Sequence, residues 1–163
     1  AALTVHTMLS QPEQFKAHER VKVVGPKGEF PGVSILGPFR NETQVELSRS
    51  DARKIGIDAP TRESGDLAGT PGCKLVGPEG ELDLDTGVIV AKRHIHLTPE
   101  TAELIGAKDK QTVKLKVSYG DRTLIFDDVV ARVSSKYADA AHLDTDEANA
   151  AALPFTAEGE IIL

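Results

Sequence analysis

A chain of 163 residues with a net charge of −6 can bury one ordinary core or two small ones, but it lacks the basic footprint that sequence-independent nucleic-acid binding needs. No apolar run approaches the eighteen or so residues of a membrane span, and Cys73, the single cysteine, excludes an internal disulfide and a cysteine-based zinc framework. The expectation is a soluble, cytoplasmic protein with no nucleic-acid or membrane partner, in which any metal is held by histidine and carboxylate and any anionic substrate needs a local positive site.

In chain order, the spacing Ser10-Gln11-Pro12-Glu13 predicts a capped, brief helix after a short apolar stretch over 3–9. His6 and His18 have no visible same-face partner and read as ordinary surface residues. Alternation then predicts strands over 21–24, 32–36 and 43–47, separated by Gly/Pro turns, with Ser48 capping a helix that Gly56 stops. Residues 57–80 are rich in turn formers and read as a looped segment with a strand near 73–76. The apolar run from Val88 ends in His94-Ile95-His96, and Thr98, Pro99 and Glu100 announce a helix that Gly106 terminates. Strands follow over 112–117, 123–126 and 129–133, then a second strand-to-capped-helix passage over 141–149 and a terminal strand within 153–163.

Successive strand side chains alternate between faces, so His94 and His96 share one face about 7 Å apart, a workable pair of metal ligands. Beside a helix N-terminus the pair also suits an anionic ligand. The bland alternative is a surface strand with two polar residues.

An internal repeat adds a third ligand. Val45-Glu46-Leu47-Ser48-Arg49-Ser50-Asp51 aligns with Ala141-His142-Leu143-Asp144-Thr145-Asp146-Glu147, each with a cap residue and an acid three positions on. In this register Glu46 coincides with His142, and both residue types ligate zinc. The fold this implies is mainly β: two small β-barrel domains built from the repeat, over residues 1–86 and 87–163 with an approximate boundary, with short capping helices and strands open to exchange between the barrels. The second copy offers His94, His96 and His142, whereas the first offers Glu46 with no His-x-His before it. Arg40 lies six residues ahead of Glu46, and Lys136 six ahead of His142. A guanidinium beside a metal makes a phosphate clamp, with a solvated surface arginine as the plain alternative.

Arg93-His94-Ile95-His96-Leu97-Thr98-Pro99-Glu100, Thr43-Gln44-Val45-Glu46-Leu47-Ser48-Arg49, Ser64-Gly65-Asp66-Leu67 and His142-Leu143-Asp144-Thr145-Asp146-Glu147-Ala148-Asn149 resemble, in the same order, the PduL-type phosphate propanoyltransferases, the phosphotransacylases associated with bacterial microcompartments. The resemblance implies two β-barrels and a two-zinc site at which coenzyme A and phosphate meet. It would give His94, His96 and His142 to one zinc, Glu46 to the other, Arg40 to phosphate, and Leu36 and Asn149 to the coenzyme A site. The family's first His-x-His falls ahead of Ala1, so Glu46 stands here without its companions. The implied reaction converts acyl-CoA and phosphate into acyl phosphate and free coenzyme A, by direct phosphate attack. A zinc-dependent thioester hydrolase and a non-catalytic protein stapled by zinc are the alternatives. A homo-oligomer and residence in a microcompartment are both compatible with this reading.

Overall fold

The computed structural model describes residues 2–163. The chain divides into two compact units, Ala1–Ala91 and Lys92–Leu163.

The first unit contains β1 (Val5–Met8), β2 (Phe15–Gly25), β3 (Gly28–Gly37), β4 (Val45–Glu46), α1 (Arg49–Lys54), β5 (Thr61–Arg62), β6 (Cys73–Gly77), β7 (Gly80–Leu84) and β8 (Val88–Ala91). One sheet runs β1-β2-β6-β7, with β3 also on β2, and a smaller one runs β4-β8-β5. Its core gathers Val23, Val45, Leu47, Ile55, Ile57, Val88 and Val90. Ser48 caps α1 by accepting the Asp51 N–H, as its spacing predicts.

The second unit contains β9 (His94–Leu97), α2 (Pro99–Ile105), β10 (Thr112–Tyr119), β11 (Arg122–Val133), β12 (Ala140–His142), α3 (Thr145–Ala150) and β13 (Gly159–Ile162). Its sheet has the order β12-β9-β11-β10-β13. Strand β9 sits between β11, to which it is parallel with Ala131 opposite Ile95 and Arg132 opposite His96, and β12, to which it is antiparallel with His142 opposite His94. Ile95, Leu97, Val129 and Ala131 enter a core with Leu115, Val117, Phe126 and Ala151. Alternation therefore turns His94, His96, Val130, Arg132, Ala140 and His142 to the opposite face of the sheet. Thr98 caps α2, Pro99 occupies its first turn, and Gly106 closes it with a left-handed φ of 76°.

The architecture is mainly β with short helices, as the alternation predicts, and includes a curled, half-barrel sheet. Three local expectations differ. Residues 10–13 form a turn rather than a helix: Gln14 N–H donates to the Gln11 carbonyl, Leu9 N–H donates to the Gln14 carbonyl, and Glu13 has a φ of 64°. The capping-box residues there lack an amphipathic run to cap, so the chain reverses into β2. The apolar run over 88–97 is two strands, interrupted at Lys92 and Arg93. Its first part, β8, pairs in parallel with β4 and β5 and belongs to the first unit. The two strands expected over 123–126 and 129–133 are one, β11, because the pairing with β10 absorbs Asp127 and Asp128 as a register shift, with Asp128 at a φ of 54°. No helix among the described residues is long and apolar enough to cross a membrane.

Leu97 is 2 % exposed and Leu104, on α2, is 85 % exposed. Leu97→Ala is expected to destabilise the protein by about 2–5 kcal/mol, and Leu104→Ala to stay within about 0.5 kcal/mol of wild type. Urea denaturation of both variants checks the placement of the core face; similar midpoints would contradict it.

Candidate metal centre

The three histidines singled out in the sequence converge. His94, His96 and His142 each offer one ring nitrogen, and the three nitrogens lie within 4.8 Å of one another. Ring centroids are 4.8 Å apart for His94 and His96, 4.9 Å for His94 and His142, and 4.7 Å for His96 and His142. Two observations bear on whether the cluster fits a metal. Nδ1 of His96 and Nε2 of His142 are buried with no hydrogen-bond partner, a cost that native proteins rarely carry without an ion or water to meet it. His94 Nδ1 stands 2.8 Å from the Lys92 carbonyl. A carbonyl only accepts, so Nδ1 carries the proton and Nε2 keeps its lone pair, the tautomer of a metal-ligating imidazole. Tetrahedral zinc at Zn–N distances of about 2.0–2.1 Å sets ligand nitrogens about 3.3 Å apart, and the three here lie within 4.8 Å of one another. The residues fit.

Burial holds both rings neutral. It lowers the pKa of His96 to about 3, helped by the neighbouring His142, His94 and Arg132, and that of His142 to about 4, helped by His94 and Arg132. The cation acting on the cluster is thus Arg132 on β11, whereas Lys136, the residue the repeat sets against Arg40, is exposed.

The surrounding contacts tie the segment carrying His142 to the strand carrying His94 and His96. Arg93 donates to the Asp127 carbonyl at 2.6 Å and pairs with Glu147 at 2.9 Å, partly buried. Glu147 also accepts the Asp144 N–H, and Asp144 accepts the Glu147 N–H, which completes a capping box two residues after His142. Tyr137 stacks on His96 with centroids 4.2 Å apart. Asp139 accepts the Thr98 N–H at 2.7 Å and the Thr101 hydroxyl at 2.6 Å. That carboxylate already fills the N-terminus of α2, where the sequence suggested a bound anion.

The other predicted site residues lie in the first unit, apart from Asn149, which is exposed on α3. Arg40 donates to the Ser64 hydroxyl at 2.8 Å, and Gln44 donates to the same hydroxyl at 2.9 Å and to the Glu46 carboxylate at 2.6 Å. The Gly65 N–H in turn donates to the Gln44 side-chain oxygen at 2.7 Å. Arg40 and Glu46 are therefore joined through Gln44 and Ser64, and Arg40 and Gln44 line a shallow depression of about 170 Å³ with Asn41, Glu42, Gly65 and Leu67. Leu36, on β3, is 54 % exposed.

Against known proteins, residues 1–154 match the family model described as phosphate propanoyltransferase. The chain belongs to that family. Curated relatives named phosphate propanoyltransferase include those of Thermotoga maritima, 56 % identical over 93 % of this chain and 72 % of that protein, and Listeria monocytogenes, 49 % identical over 98 % of this chain and 75 % of that protein. That of Enterococcus faecalis is 53 % identical over 94 % of this chain and 72 % of that protein.

Sequence reasoning on this family member named the three imidazoles but assigned no role to Gln44, Ser64, Arg132 or Tyr137. Gln44 and Ser64 lie inside the motifs quoted above and so had a signal. Arg132 and Tyr137 had none, because their proximity to His96 comes from a parallel register and a loop conformation. His6 and His18, read as lacking a partner, stack at 4.6 Å because β1 and β2 pair.

In metal-free protein, protonation of His96 and His142 opposes folding. Their contribution is complete above the unfolded value of about 6.5 and is lost as pH falls from there through about 4 and 3. Tm measured from pH 7 to 4 should fall less steeply for His142→Asn than for wild type. Parallel profiles would show that this ring is not buried neutral.

Proposed function

We propose that this protein is a phosphate acyltransferase, which exchanges the acyl group of an acyl-CoA, with propanoyl-CoA as the expected substrate, between coenzyme A and inorganic phosphate. The observation that carries the reading is family membership, with 56 % identity to a phosphate propanoyltransferase over 93 % of the chain. The imidazole cluster with its two unmet buried nitrogens supports a metal-dependent form of that chemistry.

His94, His96 and His142 would hold a zinc ion, since three imidazoles leave a fourth position open, the pattern of catalytic rather than structural zinc. Bound there, zinc would supply polarisation of the thioester carbonyl or charge compensation for the departing thiolate. Glu46 is the proposed ligand of a second zinc, in company with the family's first His-x-His. Arg40, fixed by Ser64, suits phosphate because its planar fork matches two phosphate oxygens. Leu36 and Asn149 are assigned to coenzyme A. In the reaction a phosphate oxygen attacks the thioester carbonyl carbon, the C–S bond breaks, and coenzyme A leaves as the thiolate while the acyl phosphate departs. Cys73 needs no part in this: it is buried in the core of the first unit, where desolvation pushes its thiol pKa up, away from nucleophile chemistry.

Release of free thiol from propanoyl-CoA is expected to require added phosphate. A rate that persists without phosphate would make the protein a hydrolase, and no rate in zinc-loaded protein would refute the acyltransferase reading. Arg40→Ala should lower kcat/KM for phosphate by about 10-fold or more with zinc content unchanged; unaltered phosphate kinetics would remove Arg40 from the site. His142→Ala should weaken zinc by more than the about 10–100-fold that loss of an outer-shell partner costs, read as zinc retained after dialysis. Full retention would remove His142.

A further inference from the structure

Arg132 is a partly buried cation on the face of the sheet that carries the imidazoles, directly across from His96 in the β9–β11 register. Among the described residues no ion pair or hydrogen bond engages its guanidinium; its contact is the ring of Tyr137, 5.8 Å from the guanidinium carbon. Tyr137 also stacks on His96, so one aromatic ring contacts both the arginine and a histidine. This support has a consequence for the donors. A carboxylate would consume the N–H fork, whereas a π face holds the cation by its charge and leaves the in-plane N–H groups unspent.

The placement carries a cost that needs compensation. A fixed cation on the face that carries the imidazoles would repel a divalent ion held by them. In a chain of net charge −6 with carboxylates in plenty, the residue beside the cluster is nonetheless an unpaired arginine. An anion that bridges the guanidinium and the open metal position removes the repulsion on both sides. We infer that Arg132 is an anion-holding residue, whose fork takes an oxyanion of the phosphate class at the metal position of the His94/His96/His142 cluster. The inference rests on reading that cluster as a metal site. Tyr137 is its positioning residue.

The test uses cobalt(II) in place of zinc, with the visible absorption of the bound ion as the readout. Inorganic phosphate is titrated in one arm and desulfo-coenzyme A, which keeps the phosphates and lacks the thiol, in the other. Wild type should take up cobalt and shift its spectrum on adding phosphate. Arg132→Gln should take up cobalt with the same stoichiometry and bind phosphate about 10-fold or more weakly, with Arg132→Lys between the two. Weakening confined to the desulfo-coenzyme A arm would also support an Arg132 oxyanion site and assign it to the cofactor's phosphates. Unchanged affinity in both arms for Arg132→Gln, or for Arg132→Lys should the first variant fail to fold, overturns the inference while the metal reading stands. Loss of cobalt from both variants would make Arg132 a support of the cluster, also against the inference. Failure of wild type to take up cobalt would overturn the metal reading and the inference with it.

Discussion

The placement of β9 between a parallel and an antiparallel neighbour is the constraint on which the centre depends. A strand four residues long has two side chains per face, and here one face holds Ile95 and Leu97 while the other holds His94 and His96. Sliding either pairing by one residue would exchange the two sets, bury imidazoles in the apolar core and expose the aliphatics. Register is therefore set by burial: Ala131, fully buried, lies opposite Ile95, and that contact determines that Arg132 lies opposite His96. The hydrophobic core of the second unit and the geometry of its histidines are two faces of one registration.

Side-chain contacts then add what the register lacks. The pairing of β12 with β9 is only three residues long and would fray alone, but Asp139 anchors its approach to the start of α2, and Arg93 reaches from the β9 side to Glu147 in α3. His142 is held between these two attachments. Leaving a buried ring nitrogen without a partner costs about 1–3 kcal/mol, and the cluster does so at both His96 and His142. A fold that spends hydrogen bonds on either side of these rings and none on the nitrogens themselves has kept those lone pairs available.

Much of this was legible in the residues. Caps were readable because they are local: Ser48 with Asp51, Thr98 with Thr101, and Asp144 with Glu147 each bond within one turn. The third histidine was readable because the repeat aligned it with Glu46, and the family motifs agreed. What escaped notice depends on partners distant in sequence. The Arg132–Tyr137–His96 stack needs the parallel register of β11, the His6–His18 stack needs the β1–β2 pairing, and the single long β11 needs β10 alongside to absorb Asp127 and Asp128. The expected helix at 10–13 failed for the converse reason, since a capping spacing states how a helix would start and not that one follows.

The repeat itself is narrower than the alignment suggests. In both units a short strand delivers a ligand-type side chain, passes a leucine, and enters a six-residue helix through a side-chain cap. The strand partners differ, however: β4 runs parallel to β8, whereas β12 runs antiparallel to β9. What is duplicated is thus the strand-cap-helix passage and not its setting in a sheet. The passage is a rigid carrier, because the cap fixes the backbone two residues beyond the ligand position whatever the strand pairs with. Such a carrier tolerates different chemistry at the same point, Glu46 meeting a neutral amide donor from Gln44 and His142 meeting two other imidazoles. One is a hard anionic oxygen held by a hydrogen bond, the other a neutral nitrogen kept free of one, and the two halves consequently present unlike ligands from a common local fold.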